Sequence, residues 1–135
     1  MSFIDTGYFL GLLDPQDRLH QRALRYSRIL DEPLLTTEYI LVETFSAFSH
    51  PTRRSRVHDL LDHLRRSSRY EIIDASPQLF QAGVELHAAR PDKEWSLTDC
   101  IWFVIMRERN LTRALAYDHH FEQAGFDALL RRDLV

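Results

Sequence analysis

The run from Trp95 to Phe121, WSLTDCIWFVIMRERNLTRALAYDHHF, constrains this chain more than any other. Cys100, Ile101, Trp102, Phe103, Val104, Ile105 and Met106 are apolar without interruption. A helix that is apolar all round is a buried helix, and the reading here is a buried helix over residues 98–109. Residues 113–117 then read as a buried strand. Each element carries one acid at an awkward place: Asp99 at the front of the helix, Asp118 directly after the strand. An acid at the end of a buried element costs stability unless a backbone cap or a cation compensates it.

The rest of the chain alternates in the same way. A short strand is predicted from Ser2 up to Asp5, and a helix over 6–13 follows. Asp14-Pro15 breaks that helix, because proline disfavours helical geometry in the residue before it. Asp17 is placed to cap a helix over 17–30, and Asp31-Glu32-Pro33 ends it. Further strands are predicted over 34–36 and 70–73. Helices are predicted over 37–49, 52–67 and 76–89, the last opened by Ser76-Pro77 as cap and first helical residue. A short helical turn over 119–124 and a weak strand near 128–130 complete the order. Short strands alternating with helices imply an α/β fold with a mainly parallel sheet between two helical layers. Residues 1–135 are expected to form one domain. In such sheets ligands gather beyond the carboxyl ends of the strands. Asp5 and Asp118, each expected as the first residue past a strand, fall there.

Glu43 is the third informative acid. It is expected to be buried in an apolar helix, where Ser46 and His50 share a thin polar seam with it. An unpaired buried carboxylate must be protonated, paired or metal-bound. Each acid also has a plainer explanation. Asp5 suits an Asx turn or a helix cap, Glu43 an arginine partner, Asp118 a cap for the following turn. Ser96-Leu97-Thr98-Asp99 fits a capping box. These explanations are not independent, because Asp5, Asp99 and Asp118 are expected at strand ends or helix starts on one sheet edge, and Glu43 in a helix that must pack on that sheet. Clustered carboxylates repel and raise one another's proton affinity, and a divalent cation removes that penalty. Oxygen-only ligands point to Mg²⁺ or Mn²⁺, of the kind that serves phosphoryl transfer.

The motifs then resemble those of a known family. Ile4-Asp5-Thr6-Gly7-Tyr8-Phe9 with Leu12-Leu13-Asp14-Pro15 and His20, Thr37-Glu38 with Val42-Glu43, Trp95 to Cys100, and Ala114 to Asp118 with Phe121 resemble, in order, the four acidic motifs of PIN-domain proteins. The likeness covers nearly the whole chain and is greatest to small members such as VapC-type toxins. It implies an α/β/α sandwich and a metal-dependent endoribonuclease. Asp5, Glu43, Asp99 and Asp118 would form its acidic site, holding Mg²⁺ or Mn²⁺, with Thr6 as a supporting hydroxyl. It further implies an RNA substrate, a cognate antitoxin and a homodimer. Ala116 departs from the family, standing where many members carry a hydroxyl. His119 and His120 receive no role.

Other chemistries find less support. Cys100 lies within the apolar helix without a histidine partner and reads as a structural thiol. No two of the seven histidines stand four residues apart, as a helical zinc pair requires. A Mg²⁺ phosphatase that starts with an aspartate after its first strand wants a second two residues on, where Gly7 stands. A non-catalytic RNA- or protein-binding module remains the other alternative.

Net charge is −3, so no general attraction to nucleic acid is expected, although Arg53, Arg54 and Arg56, and Arg65, Arg66 and Arg69, form clusters suited to phosphate. Apolar Tyr8, Phe9 and Leu12, or Tyr39 and Leu41, read as core or as a partner surface. One cysteine, no secretory signal and no apolar run long enough to span a bilayer lead to a cytoplasmic expectation, without a membrane partner.

Overall fold

In the computed structural model, residues 1–132 are described. Five strands form one parallel sheet: β1 (Ser2–Ile4), β2 (Leu34–Thr37), β3 (Tyr70–Ile73), β4 (Arg113–Leu115) and β5 (Asp127–Ala128). Every residue of β1 and β2 is buried, as expected of central strands covered on both faces. The helices are α1 (Thr6–Leu13), α2 (His20–Ile29), α3 (Glu38–Ala47), α4 (Arg54–Arg66), α5 (Pro77–Ala89), α6 (Leu97–Glu108) and α7 (His119–Gln123). A 3-10 turn, Leu129–Arg131, follows β5.

The strand order is β3-β2-β1-β4-β5. The chain builds outward from β1 to β3, then crosses back to β4 and β5. With right-handed crossovers, that reversal puts α1–α4 on one face and α5–α7 on the other. The packing agrees: α1 contacts α2 and α3, α3 contacts α4, and α6 contacts α5 and α7. The order reverses between β1 and β4, which pair side by side at Phe3↔Ala114 and Ile4↔Leu115. A crevice therefore opens beyond the carboxyl ends of those two strands.

Local chemistry explains most helix starts. The Thr37 hydroxyl accepts from the Ile40 amide at 3.1 Å and opens α3. Ser76 does the same for Leu79 at 3.1 Å, with Pro77 at the first helical position of α5. Ser96 opens α6 through a complete capping box with Asp99. The predicted start at Asp17 is too early. The Asp17 carboxylate accepts from the Leu19 amide at 2.8 Å, making a turn, and α2 begins at His20.

The core joins Phe3, Ile4, Leu34 and Leu35 from the sheet to Phe9, Ile40, Trp102 and Phe103 from the helices. Trp102 stacks obliquely on Phe3 and Tyr39, and Phe103 meets Phe121 edge to face. Tyr8, Phe9 and Leu41 are buried, so the core reading of these residues holds and they offer no free surface. The arginines proposed as a phosphate patch are partly occupied. Arg53 pairs with Asp14 at 3.0 Å, and Arg69 donates to the Leu30 and Glu32 carbonyls.

Gly83 lets α5 approach α6. A Cβ there would stand 2.5 Å from Ile101 Cγ1, midway along a buried β-branched side chain. Alanine ordinarily stabilises a helix over glycine by about 0.5–1 kcal/mol. Overpacking at this distance reverses the sign. Gly83→Ala is expected to destabilise by about 1–2 kcal/mol in urea unfolding, and a neutral or stabilising result contradicts the close packing of α5 on α6.

Candidate active site

Asp5 follows β1 directly, and its amide donates to the Leu115 carbonyl at 3.2 Å, closing β1 against β4. Asp118 stands three residues past β4 rather than one. Residues 116 and 117 leave the sheet because β1 ends opposite Leu115 and β5 ends opposite Ala114. Ala116 and Tyr117 carry the chain out to the helix cap, where Asp118 accepts from the His120 amide at 3.0 Å.

Glu43 corrects another expectation. It is exposed, and so are Val42 and Ser46 beside it; His50, beyond the helix end, is exposed too. The polar seam of α3 faces solvent. The Glu43 carboxyl itself is tied inward: Thr6 Oγ1 donates to Glu43 Oε2 at 3.0 Å, from the first residue of α1. No arginine takes the place of that hydroxyl among the described residues.

Asp99 is 8% exposed and does two things at once. Its Oδ2 accepts from the Ser96 amide at 3.0 Å, completing the cap of α6. The same oxygen lies 3.0 Å from His120 Nδ1, which is also 3.3 Å from Asp118 Oδ1. Carboxylates only accept, so Nδ1–H donates between two acids. His120, given no role from sequence, thus bridges Asp99 and Asp118. The signal available was its position two residues after a capping aspartate. His119 Nδ1 stands 3.5 Å from Asp118 Oδ1.

The four acids share one field. Burial, followed by the charges of Asp99, Glu43 and Asp118, raises the Asp5 pKa from 3.8 to about 7, partly offset by the Thr6 amide. Partial burial and then Asp99 raise Glu43, opposed by the Thr6 hydroxyl. Asp5 makes no side-chain cap to α1, while the caps of Asp99 and Asp118 are present. Among the described residues the ion pairs at these acids come from histidine alone.

This donor set fits a hard divalent cation. Oxygen donors predominate, and burial, reinforced by the charges of Asp99, Glu43 and Asp118, already drives Asp5 toward protonation. Asp118, His119 and His120 also place one donor atom each within 4.8 Å of one another. Cys100, by contrast, is fully buried and its thiol is pushed up by burial, which suits a structural residue.

An open cleft of about 350 Å³ borders the acids, lined by Asp5, Gly7, Arg18, Leu19, Tyr117, Asp118, His119 and Arg131. Two other hollows lie between α3 and α4 and hold none of the four. No helix among the described residues is long and apolar enough to cross a membrane.

Comparison with known proteins agrees with this geometry. The PIN domain model matches residues 2–127. The 23S rRNA-specific endonuclease VapC20 of Mycobacterium tuberculosis (strain H37Rv) is 27% identical over 127 residues, covering 93% of this chain and 95% of the relative. The crystal structure of M. tuberculosis VapC20, described as a sarcin-ricin loop cleaving toxin, superposes with a TM-score of 0.84 at 22% identity, over 95% of this chain and 98% of the other. FitAcB from Neisseria gonorrhoeae superposes with a TM-score of 0.68 at 15% identity, over 94% of this chain and 95% of the other. At these identities the two superpositions speak for the fold.

Proposed function

The chain belongs to the PIN domain family, and on that premise we propose that it is a metal-dependent endoribonuclease, the toxin of a toxin–antitoxin pair. The observation that carries the proposal is the gathering of Glu43, Asp99 and Asp118 around a buried Asp5 at the β1/β4 reversal, where burial and then their charges raise its pKa to about 7. Asp5, Asp99 and Asp118, with Glu43, would hold Mg²⁺ or Mn²⁺. The bound cation supplies a polarised phosphate oxygen and an acidified water.

The chain's own residues fix the acids. Thr6 Oγ1 holds Glu43 Oε2, the Ser96 amide holds Asp99 Oδ2, and His120 Nδ1 spans Asp99 and Asp118. Donors of this kind orient ligands in advance, so little reorganisation is needed during reaction. The relatives' names support RNA as substrate, with large ribosomal RNA the first candidate, and an antitoxin protein as partner. A homodimer, a single domain over residues 1–135 and action in the cytoplasm complete the reading. A silent binding module would not need four acids gathered with hydroxyl, amide and imidazole supports, and the phosphatase reading lacks its second aspartate, where Gly7 stands.

The test is to incubate the protein with ribosomal and transfer RNA in Mg²⁺ or Mn²⁺ and to map new ends by sequencing. Discrete ends that vanish with EDTA and in Asp99→Asn are expected. Ends that persist in both samples would sink the site.

A further inference from the structure

One side chain in the cleft has no acid to neutralise. Arg18 sits in the loop between α1 and α2, exposed, and forms no ion pair or hydrogen bond with the described residues. Its only contact of note is a ring: the guanidinium carbon lies 4.5 Å from the Tyr117 centroid. The other arginine lining the cleft is committed elsewhere. Arg131 pairs with Glu122 at 2.6 Å and donates to the Tyr117 carbonyl at 2.9 Å, while its guanidinium carbon lies 5.0 Å from the same ring.

The loop that carries Arg18 is held rather than loose. Leu19 packs on α1 so closely that a Cβ on Gly11 would stand 3.3 Å from the Leu19 carbonyl. His20 Nδ1 lies 2.7 Å from the Gly11 carbonyl oxygen, and the Asp17 carboxylate binds the Leu19 amide. An arginine pre-positioned in this way loses less freedom on capturing an anion. Its planar fork matches phosphate, and stacking on an aromatic face leaves its N–H edge free to donate.

We propose that Arg18 binds an RNA phosphate neighbouring the one that is cut, with Tyr117 as its platform and Arg131 as the brace that holds Tyr117. The proposal rests on the ribonuclease reading for its ligand. It explains how an acidic chain with an acidic site retains a polyanion: on the cleft wall stands a cation that forms no ion pair with the described residues. Tyr117 and Arg131 are positioning residues here.

The test measures binding without cleavage. Full-length protein carrying Asp99→Asn is titrated in EDTA with a fluorescein-labelled single-stranded RNA 12-mer, over a series of KCl concentrations. Adding Arg18→Gln is expected to weaken binding about tenfold and to flatten the slope of log affinity against log salt by about 0.7, the value for one phosphate contact on a single strand. Tyr117→Leu is expected to weaken binding in the same direction, while Tyr117→Phe keeps it. Arg65→Gln on α4, which lines a different hollow, controls for lost charge and should leave affinity and slope unchanged. In the cleaving protein the Arg18→Gln loss should appear in KM. Unchanged affinity and slope for Arg18→Gln, or an equal loss from Arg65→Gln, overturns the proposal. If parent protein binds RNA with the Arg18 dependence but never cuts it, the clamp stands and the ribonuclease reading falls. If it cuts RNA but ignores Arg18, the reverse holds. A parent that binds no RNA removes both.

Discussion

Metal-free protein is expected to lose stability as pH rises from 5 to 8, and Asp5→Asn is expected to remove most of that loss. The Asp5 carboxyl titrates near 7 in the folded chain against 3.8 as its ordinary value. Between those values the folded state keeps a proton that the unfolded state has released. The stability due to this group is therefore fully present below pH 3.8 and is lost as pH rises through about 7. The gap corresponds to about 4 kcal/mol at most, which is a large part of the 5–15 kcal/mol typical of a whole domain. Glu43, raised by burial and by Asp99, acts in the same direction. Carboxylates such as Glu71, held below the ordinary range by Arg109, act oppositely but only as pH falls below 4.5. The window from pH 5 to 8 thus excludes such carboxylates, and the histidines, which change charge within it, are common to parent and variant, so the difference between the two reports Asp5.

The measurement is urea unfolding in EDTA across that window. The parent midpoint should fall with pH, the Asp5→Asn midpoint should stay nearly flat, and the variant should be the more stable of the two at pH 8. Mg²⁺ should restore the parent selectively, because a ligand that binds only the folded state stabilises it. In cleavage the order inverts, and Asp5→Asn should lose about 10³-fold in rate, roughly 4 kcal/mol of transition-state stabilisation. A parent midpoint that is flat from pH 5 to 8 would contradict an Asp5 carboxyl held protonated by burial and by its acidic neighbours.

How much of this site was legible in the sequence depended on how local its causes are. Ser76, Ser96 and Asp99 act on amides within three residues, so their helix starts could be placed from sequence to within a residue. Asp5 was legible for the same reason, since a buried strand must stop before a carboxylate. Glu43 was not. The run Tyr39 to Phe45 looks apolar all round, yet Val42 is 65% exposed, so α3 shows one apolar side to solvent and Glu43 shares that side. Asp118 was misplaced by two residues because strand length depends on partners. Ala116 and Tyr117 are as apolar as Ala114, but neither β1 nor β5 extends to meet them. His120 is a tertiary fact altogether: its tie to Asp99 spans 21 residues and two helices.

Asp99 offers the sharpest separation of structure from chemistry, because its two roles respond differently to two substitutions. Its Oδ2 accepts the Ser96 amide as part of the α6 cap and also meets His120. Asparagine keeps an accepting oxygen at the same place but removes the charge; alanine removes both. Asp99→Ala should therefore lose about 1 kcal/mol of stability through the cap alone, in a helix that carries Trp102 and Phe103 into the core. Asp99→Asn should keep most of that stability. If the acid also serves catalysis, both variants must lose cleavage equally, by about 10³-fold. Equal cleavage loss with unequal unfolding midpoints is the expected pattern. Cleavage that instead tracks stability, surviving in Asp99→Asn and failing in Asp99→Ala, would reduce Asp99 to a helix cap and leave the acidic site without its most buried member.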